Sequence, residues 1–131
     1  MPFANAINQA ALDHIFGKAT WTAPTTINVG LSTTTPAVDG TGITEPSGNG
    51  YAQVATAPAD WTRTGNDMEN NAQVDFPEAT GSWGTVTHFV LYNDADDSMI
   101  GFGALDSSQA VASGQQPYFP AETLVARYTA P

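Results

Sequence analysis

The chain has 131 residues, 12% of them charged and 41% hydrophobic, with thirteen acidic side chains against three basic ones and a net charge of −10. Phosphate recognition needs clustered Lys and Arg, so Lys18, Arg63 and Arg127 alone exclude a nucleic-acid surface, and the same balance opposes an anionic membrane. With no cysteine, disulfides and thiolate metal sites are excluded as well.

The length fits one domain over residues 1–131. Met1-Pro2-Phe3-Ala4-Asn5 has neither a basic n-region nor an apolar h-region, so the chain is expected to work in its full form. No apolar run approaches the ~20 residues of a membrane span.

Residues 4–16 read as the single helix. Phe3, Ile7, Ala11 and Ile15 follow i, i+4 spacing, Leu12 and Phe16 widen the same side, and Gly17-Lys18 provide the stop. The apolar arc is wider than the ~100° stripe that seats a surface helix on its own core. Either a flanking loop covers the excess, or the helix is an interaction arm whose contact residues are Phe3, Ile7, Ala11, Ile15 and Phe16.

The period then changes to two. Ile27, Val29 and Leu31 alternate with Thr26, Asn28 and Gly30 in a half-buried strand. Residues 32–50 form a long loop rich in Ser, Thr, Pro and Gly, of the kind that is often functional or mobile. A strand is expected at 51–57 around Tyr51 and Val54, and 58–70 is a mixed, polar stretch around Trp61. Val74 and Phe76 mark a short strand stopped by Pro77.

Ala79-Thr80-Gly81-Ser82 turns into the strongest strand, 84–92. It has Val86, His88, Val90 and Tyr92 on one face and Phe89 and Leu91 on the other, so it should be central and covered on both sides. Asp94-Ala95-Asp96-Asp97 is the hairpin turn. The return strand is 98–105, with Ile100, Phe102 and Ala104 opposite the small Gly101 and Gly103. Further strands follow near 108–112, 115–119 and 122–128, the last with Leu124, Ala126 and Tyr128. Roughly eight short strands behind one helix give an all-β class, a sandwich or barrel.

A catalytic apparatus is not visible. His14 lies on the helix, and His88 alternates with apolar neighbours as a hydrogen-bonded core or interface residue does. Gly81-Ser82-Trp83-Gly84 has the wrong spacing for a nucleophile elbow, and there is no P-loop or dinucleotide fingerprint. Asp94, Asp96 and Ser98 match the first half of a calcium loop, but Met99 and Leu105 stand where Gly and Glu belong, which favours a plain turn. A glycosidase pair among Asp39, Glu45, Asp60 and Asp67 has no distinguishing context. No catalytic, cofactor or metal residue is therefore assigned. Trp21, Trp61, Trp83, Tyr51, Tyr92, Tyr118 and Tyr128 raise a sugar-binding alternative against their reading as core or interface anchors. A sugar binder should show an open aromatic platform.

Four stretches occur in a familiar order. Ala23-Pro24-Thr25-Thr26-Ile27-Asn28-Val29-Gly30-Leu31-Ser32 is followed by Gly48-Asn49-Gly50-Tyr51-Ala52 and by Asn70-Asn71-Ala72-Gln73-Val74-Asp75-Phe76-Pro77. The fourth is Ala79-Thr80-Gly81-Ser82-Trp83-Gly84-Thr85-Val86-Thr87-His88. With the preceding helix, this order resembles a family of small tailed-bacteriophage virion proteins, variously capsid cement, decoration or tail-fibre-like. The resemblance implies a jelly-roll-like antiparallel β-sandwich and a non-enzymatic virion protein without cofactor. It would be assembled in the host cytoplasm and would bind copies of itself and the major capsid protein or other virion proteins. Capsid cement is the leading expectation; a tail, baseplate or fibre component and a receptor-sugar module are the alternatives.

Overall fold

The computed structural model describes residues 1–127. The expected strongest segments pair first. Ile27–Ser32 (β1) lies between Val54–Thr56 (β2) and Gly84–Asn93 (β6), and β6 pairs on its other side with Met99–Val111 (β7), giving an antiparallel sheet of order β2-β1-β6-β7. The register sets Leu31 against Phe89 and Val29 against Leu91, so these four share a face, while Val90 and Tyr92 take the other. All six are buried, which makes β6 the central, doubly covered strand its apolar pattern demands.

The chain between β2 and β6 builds the rest. A 3-10 turn, Pro58–Asp60, leads into Trp61–Thr64 (β3) and Asp67–Asn70 (β4), and β4 pairs with Val125–Arg127 (β9). Val74–Asp75 (β5) pairs with Tyr118–Phe119 (β8). The fold is thus the all-β, antiparallel, sandwich-like architecture expected, with one short helix at the N-terminus, Asn5–Ile15 (α1). Among the described residues its strands divide four, three and two among the sheets. The strand expected at 122–128 is narrower, and its Tyr128 lies outside the described residues.

Two departures have clear causes. The β3–β4 hairpin falls in the stretch read as mixed. Thr64 pairs with Asp67 around a two-residue Gly65-Asn66 turn, with Gly65 at φ 62°. Thr62, Arg63 and Thr64 are exposed, so no apolar alternation marks the strand. The strands read separately at 98–105 and 108–112 are one strand with a bulge. Val86 faces Gln109 and His88 faces Ala104, so residues 105–108 of β7 oppose Thr87 alone.

The two most specific stretches of the sequence dock on each other. Gly48, Asn49 and Gly50 all have positive φ (70°, 53° and 79°), a run that glycine and asparagine tolerate best. This loop presents the Asn49 carbonyl to the Thr80 N–H at 2.9 Å and to the Trp83 Nε1–H at 2.8 Å, and Asn49 Nδ2 donates to the Ser82 carbonyl at 2.9 Å. A Cβ on Gly81 would lie 2.7 Å from Asn49 Cγ, so glycine is required there by close approach.

Tyr51 finishes what β2 leaves undone. β2 covers β1 only as far as Val29, and the Tyr51 hydroxyl accepts the next free N–H, that of Leu31, at 3.0 Å while donating to Glu45 Oε1 at 2.6 Å. Burial, first, and the bond to Glu45 raise the Tyr51 phenol above its ordinary value; burial likewise raises Tyr92. A group whose pKa rises on folding contributes stability fully below its unfolded pKa and loses it above. Stability should therefore hold to about pH 10 and fall beyond it. Tyr51→Phe should cost about 1–2 kcal/mol at neutral pH and flatten the alkaline slope. Urea unfolding across pH 7 to 11 measures both, and an unchanged slope would count against the Tyr51–Glu45 link.

Candidate functional site

The helix splits the expected contact set in two. Residues 2–4 run along the outer edge of β7, with Phe3 bridged to Gly101 and the Ala4 N–H on the Ile100 carbonyl at 2.8 Å. Gly101 makes this possible, since a Cβ there would lie 2.7 Å from the Pro2 carbonyl. Ala4 and Ile7 are buried, and Phe3 and Ala11 are partly buried. Ile7, buried, and Phe3, partly buried and bridged to Gly101, thus lie against the chain's own sheet. Beyond them the helix leaves the core, and Leu12, Ile15 and Phe16 are 51%, 69% and 72% exposed.

That apolar tip is held in place. The Gly17 N–H reaches the His14 carbonyl and the Lys18 N–H the Asp13 carbonyl, at 3.3 and 2.8 Å, with Gly17 at φ 70°. These are the two bonds of a Schellman stop. The returning chain is tied back where His14 Nδ1 accepts the Trp21 N–H at 3.2 Å. Three exposed apolar side chains on a fixed chain reversal form the kind of patch that marks an interaction site.

A second apolar surface lies between the four-stranded sheet and the β3–β4–β9 sheet. It is a groove of about 360 Å³ lined by Met1, Phe3, Ile27, Trp61, Met68 and Leu91, among others. Trp61 is fixed there by its Nε1–H bond to Thr56 Oγ1 at 2.9 Å. The rings weighed as a sugar platform are mostly structural. Tyr51 meets Trp83 edge-on at 5.2 Å and stacks near Phe76 at 6.5 Å, and Phe119 lies against both Phe76 and Phe89. Tyr92 is buried and Trp21 and Trp61 are partly buried, leaving Tyr118, 56% exposed, as the open ring among the described tryptophans and tyrosines.

Several titratable side chains are turned to structural tasks. His88 is partly buried, with Nδ1 2.8 Å from Thr87 Oγ1 and its ring near Phe102. Asp96 Oδ1 accepts both the N–H and the hydroxyl of Ser98, bonds that hold its carboxyl below the usual carboxylate range. Asp94 Oδ1 takes Asn28 Nδ2 at 2.7 Å. Asp94 and Asp96 thus bond β1 and the turn's own Ser98. Among the described residues no group of three His, Asp or Glu is placed to hold a metal. Of the cations, Arg127 pairs with Asp67 across the β4–β9 register and Arg63 donates to the Gly65 carbonyl.

The side chain that sequence reasoning missed is Asn70, 1% exposed. Its amide donates to the Ala72 and Pro120 carbonyls at 2.9 and 3.0 Å, and its oxygen accepts from the Thr123 and Leu124 N–H groups at 3.1 and 2.9 Å. Only its membership of an Asn-Asn pair ahead of a strand hinted at this.

A family model described as Podophage GP4 fiber I protein gp80 matches residues 2–127. No curated protein matches the chain.

Proposed function

The chain belongs to the podophage GP4 fiber I protein gp80 family, hence to the structural proteins of tailed-phage virions, and from that premise we propose that it is a non-enzymatic subunit of a tail fibre or fibre-like appendage. The observation that carries this reading is the match itself, which runs through the helix, all the described strands and the Asn49–Trp83 clamp. It favours the appendage over the capsid-cement role expected from the sequence, since the family's description names a fibre.

The helix tip supplies the assembly contact. Leu12, Ile15 and Phe16 meet another copy of the chain or a neighbouring virion protein, with no nucleic acid, membrane or cofactor involved. The contact rests on buried apolar area, because Lys18 is the one cation beside it. It should therefore tolerate moderate salt better than an ion-paired joint.

Location and contact are tested together. Gold-labelled antibody or a particle reconstruction should place the chain at the tail; density on the shell lattice would overturn the reading. Ile15→Asp and Phe16→Asp should leave stability within about 0.5 kcal/mol, since both side chains are exposed. They should reduce incorporation into particles at least roughly tenfold. Ile7→Asp is not a usable variant, because it buries a charge in the helix seat. Normal incorporation of both tip variants would remove the tip from the interface.

A further inference from the structure

The bulge in β7 turns residues 105–108 out of register, and bulges commonly re-aim side chains beside functional surfaces. Here they border a cleft of about 200 Å³, which shares Gln109, Val111, Pro117 and Tyr118 with an adjoining cleft of about 590 Å³. The larger alone falls within the roughly 300–1,000 Å³ typical of small-molecule sites. Asp106 and Ser107 enter from the bulge on the smaller side, and Gln115 and Gln116 from the segment before β8 on the larger. Tyr118, 56% exposed, lines both.

The amides are pre-oriented. Gln115 Oε1 accepts the Ala112 N–H at 2.8 Å, so its NH2 group is left over. Gln116 Nε2 donates to the Phe76 carbonyl at 3.0 Å, so its oxygen is left over. Gln109 Nε2 reaches Ser107 Oγ at 3.3 Å. The groove thus offers a fixed donor, a fixed acceptor and an open aromatic face. Asp106 is the single charged residue lining either cleft. An anionic ligand finds no counter-charge here, and a purely apolar one would strip water from three amides without replacing their bonds.

We propose that this groove binds a neutral oligosaccharide, one sugar ring laying its C–H face on Tyr118 while its hydroxyls bond Gln109, Gln115 and Gln116. A ring with apolar faces and a polar edge matches an aromatic floor rimmed by amides. One carboxylate is too few for the acid–base pair of a glycosidase, so the groove binds sugar without cleaving it. The site belongs to the chain itself and stands wherever in the particle the chain is found.

The purified full chain is tested by saturation-transfer NMR and calorimetry against neutral tetra- to hexasaccharides of glucose, galactose and rhamnose, with sialylated and sulfated oligosaccharides as charged comparators. The expected result is binding to a neutral member of the panel. It should weaken at least about tenfold in Tyr118→Ala and about threefold in Gln116→Ala, and change little in Tyr118→Phe. Tyr118 is exposed, so unchanged circular dichroism should accompany the loss. No transfer to any neutral oligosaccharide overturns the proposal, as does equal affinity in Tyr118→Ala or a preference for the charged sugars. An oligomer seen by sedimentation that Tyr118→Ala dissociates would also overturn it, assigning the ring to a second copy of the chain.

Discussion

Asn70→Ala should lower the unfolding free energy by about 3–5 kcal/mol, the largest loss expected of any single polar substitution in this protein. The side chain is fully buried and satisfies four backbone groups, two on each side of its amide. Its own backbone adds two more links to the same region, accepting from the Glu122 N–H at 2.7 Å and donating to the Leu124 carbonyl at 3.3 Å. Removing the amide leaves the Ala72 and Pro120 carbonyls and the Thr123 and Leu124 N–H groups without the partner it supplied. Each hydrogen bond is worth about 1 kcal/mol net, and more when its loss strands a buried group. Against a total of roughly 5–15 kcal/mol this is a large fraction. Asn70→Asp separates donors from acceptors. The carboxylate can still accept from Thr123 and Leu124 but faces two carbonyl oxygens, which should raise its pKa. The variant should thus be weakest at neutral pH and regain stability as acidification protonates it. Urea midpoints at pH 4 and pH 7 measure this, and a loss below about 1 kcal/mol in Asn70→Ala would show that residues 120–124 are held by other means.

Trp83→Ala should cost a similar 3–5 kcal/mol, for a different reason. The indole is buried, meets Tyr51 edge-on and donates to the Asn49 carbonyl. Its removal opens a cavity under the central sheet and loosens the Gly48–Gly50 loop from the turn before β6. Trp83→Phe tests which part dominates. It keeps most of the apolar volume and drops only the Nε1–H bond, while the Asn49 carbonyl retains the Thr80 N–H. About 1–2 kcal/mol is expected. If the two variants are equally unstable, the hydrogen bond rather than the packing is what the clamp depends on. Calorimetric melting of the three proteins decides it, and Gly81→Ala should behave as a partial clamp mutant because its Cβ would collide with Asn49.

The sequence alone determined the fold class, and it did so where burial leaves a period. Ile27, Val29 and Leu31, and the double-faced run from Val86 to Tyr92, are apolar because both faces of β6 and one of β1 are covered, so their pairing was legible from spacing. The excess of acid over base and the shortage of charge were equally visible, and the resemblance carried by residues 48–52 and 79–88 pointed to the right class of virion protein. What the sequence could not show is which side of each apolar or polar residue meets the rest of the chain. Ile7 and Ile15 stand at equivalent helical spacing, yet one joins the core and the other is exposed, because only the first part of the helix packs on the rest of the chain. Asn70 reads as a polar turn residue, yet it is buried, because three backbone groups from residues 120–124 converge on it with the nearby Ala72 carbonyl. Tyr118 and Trp83 are both aromatic, and only the packing of Phe76, Phe119 and Tyr51 decides that one is core and the other open. Periodicity reports a residue's relation to its own element; exposure depends on where that element stops and what crosses it, and only the tertiary structure decides that.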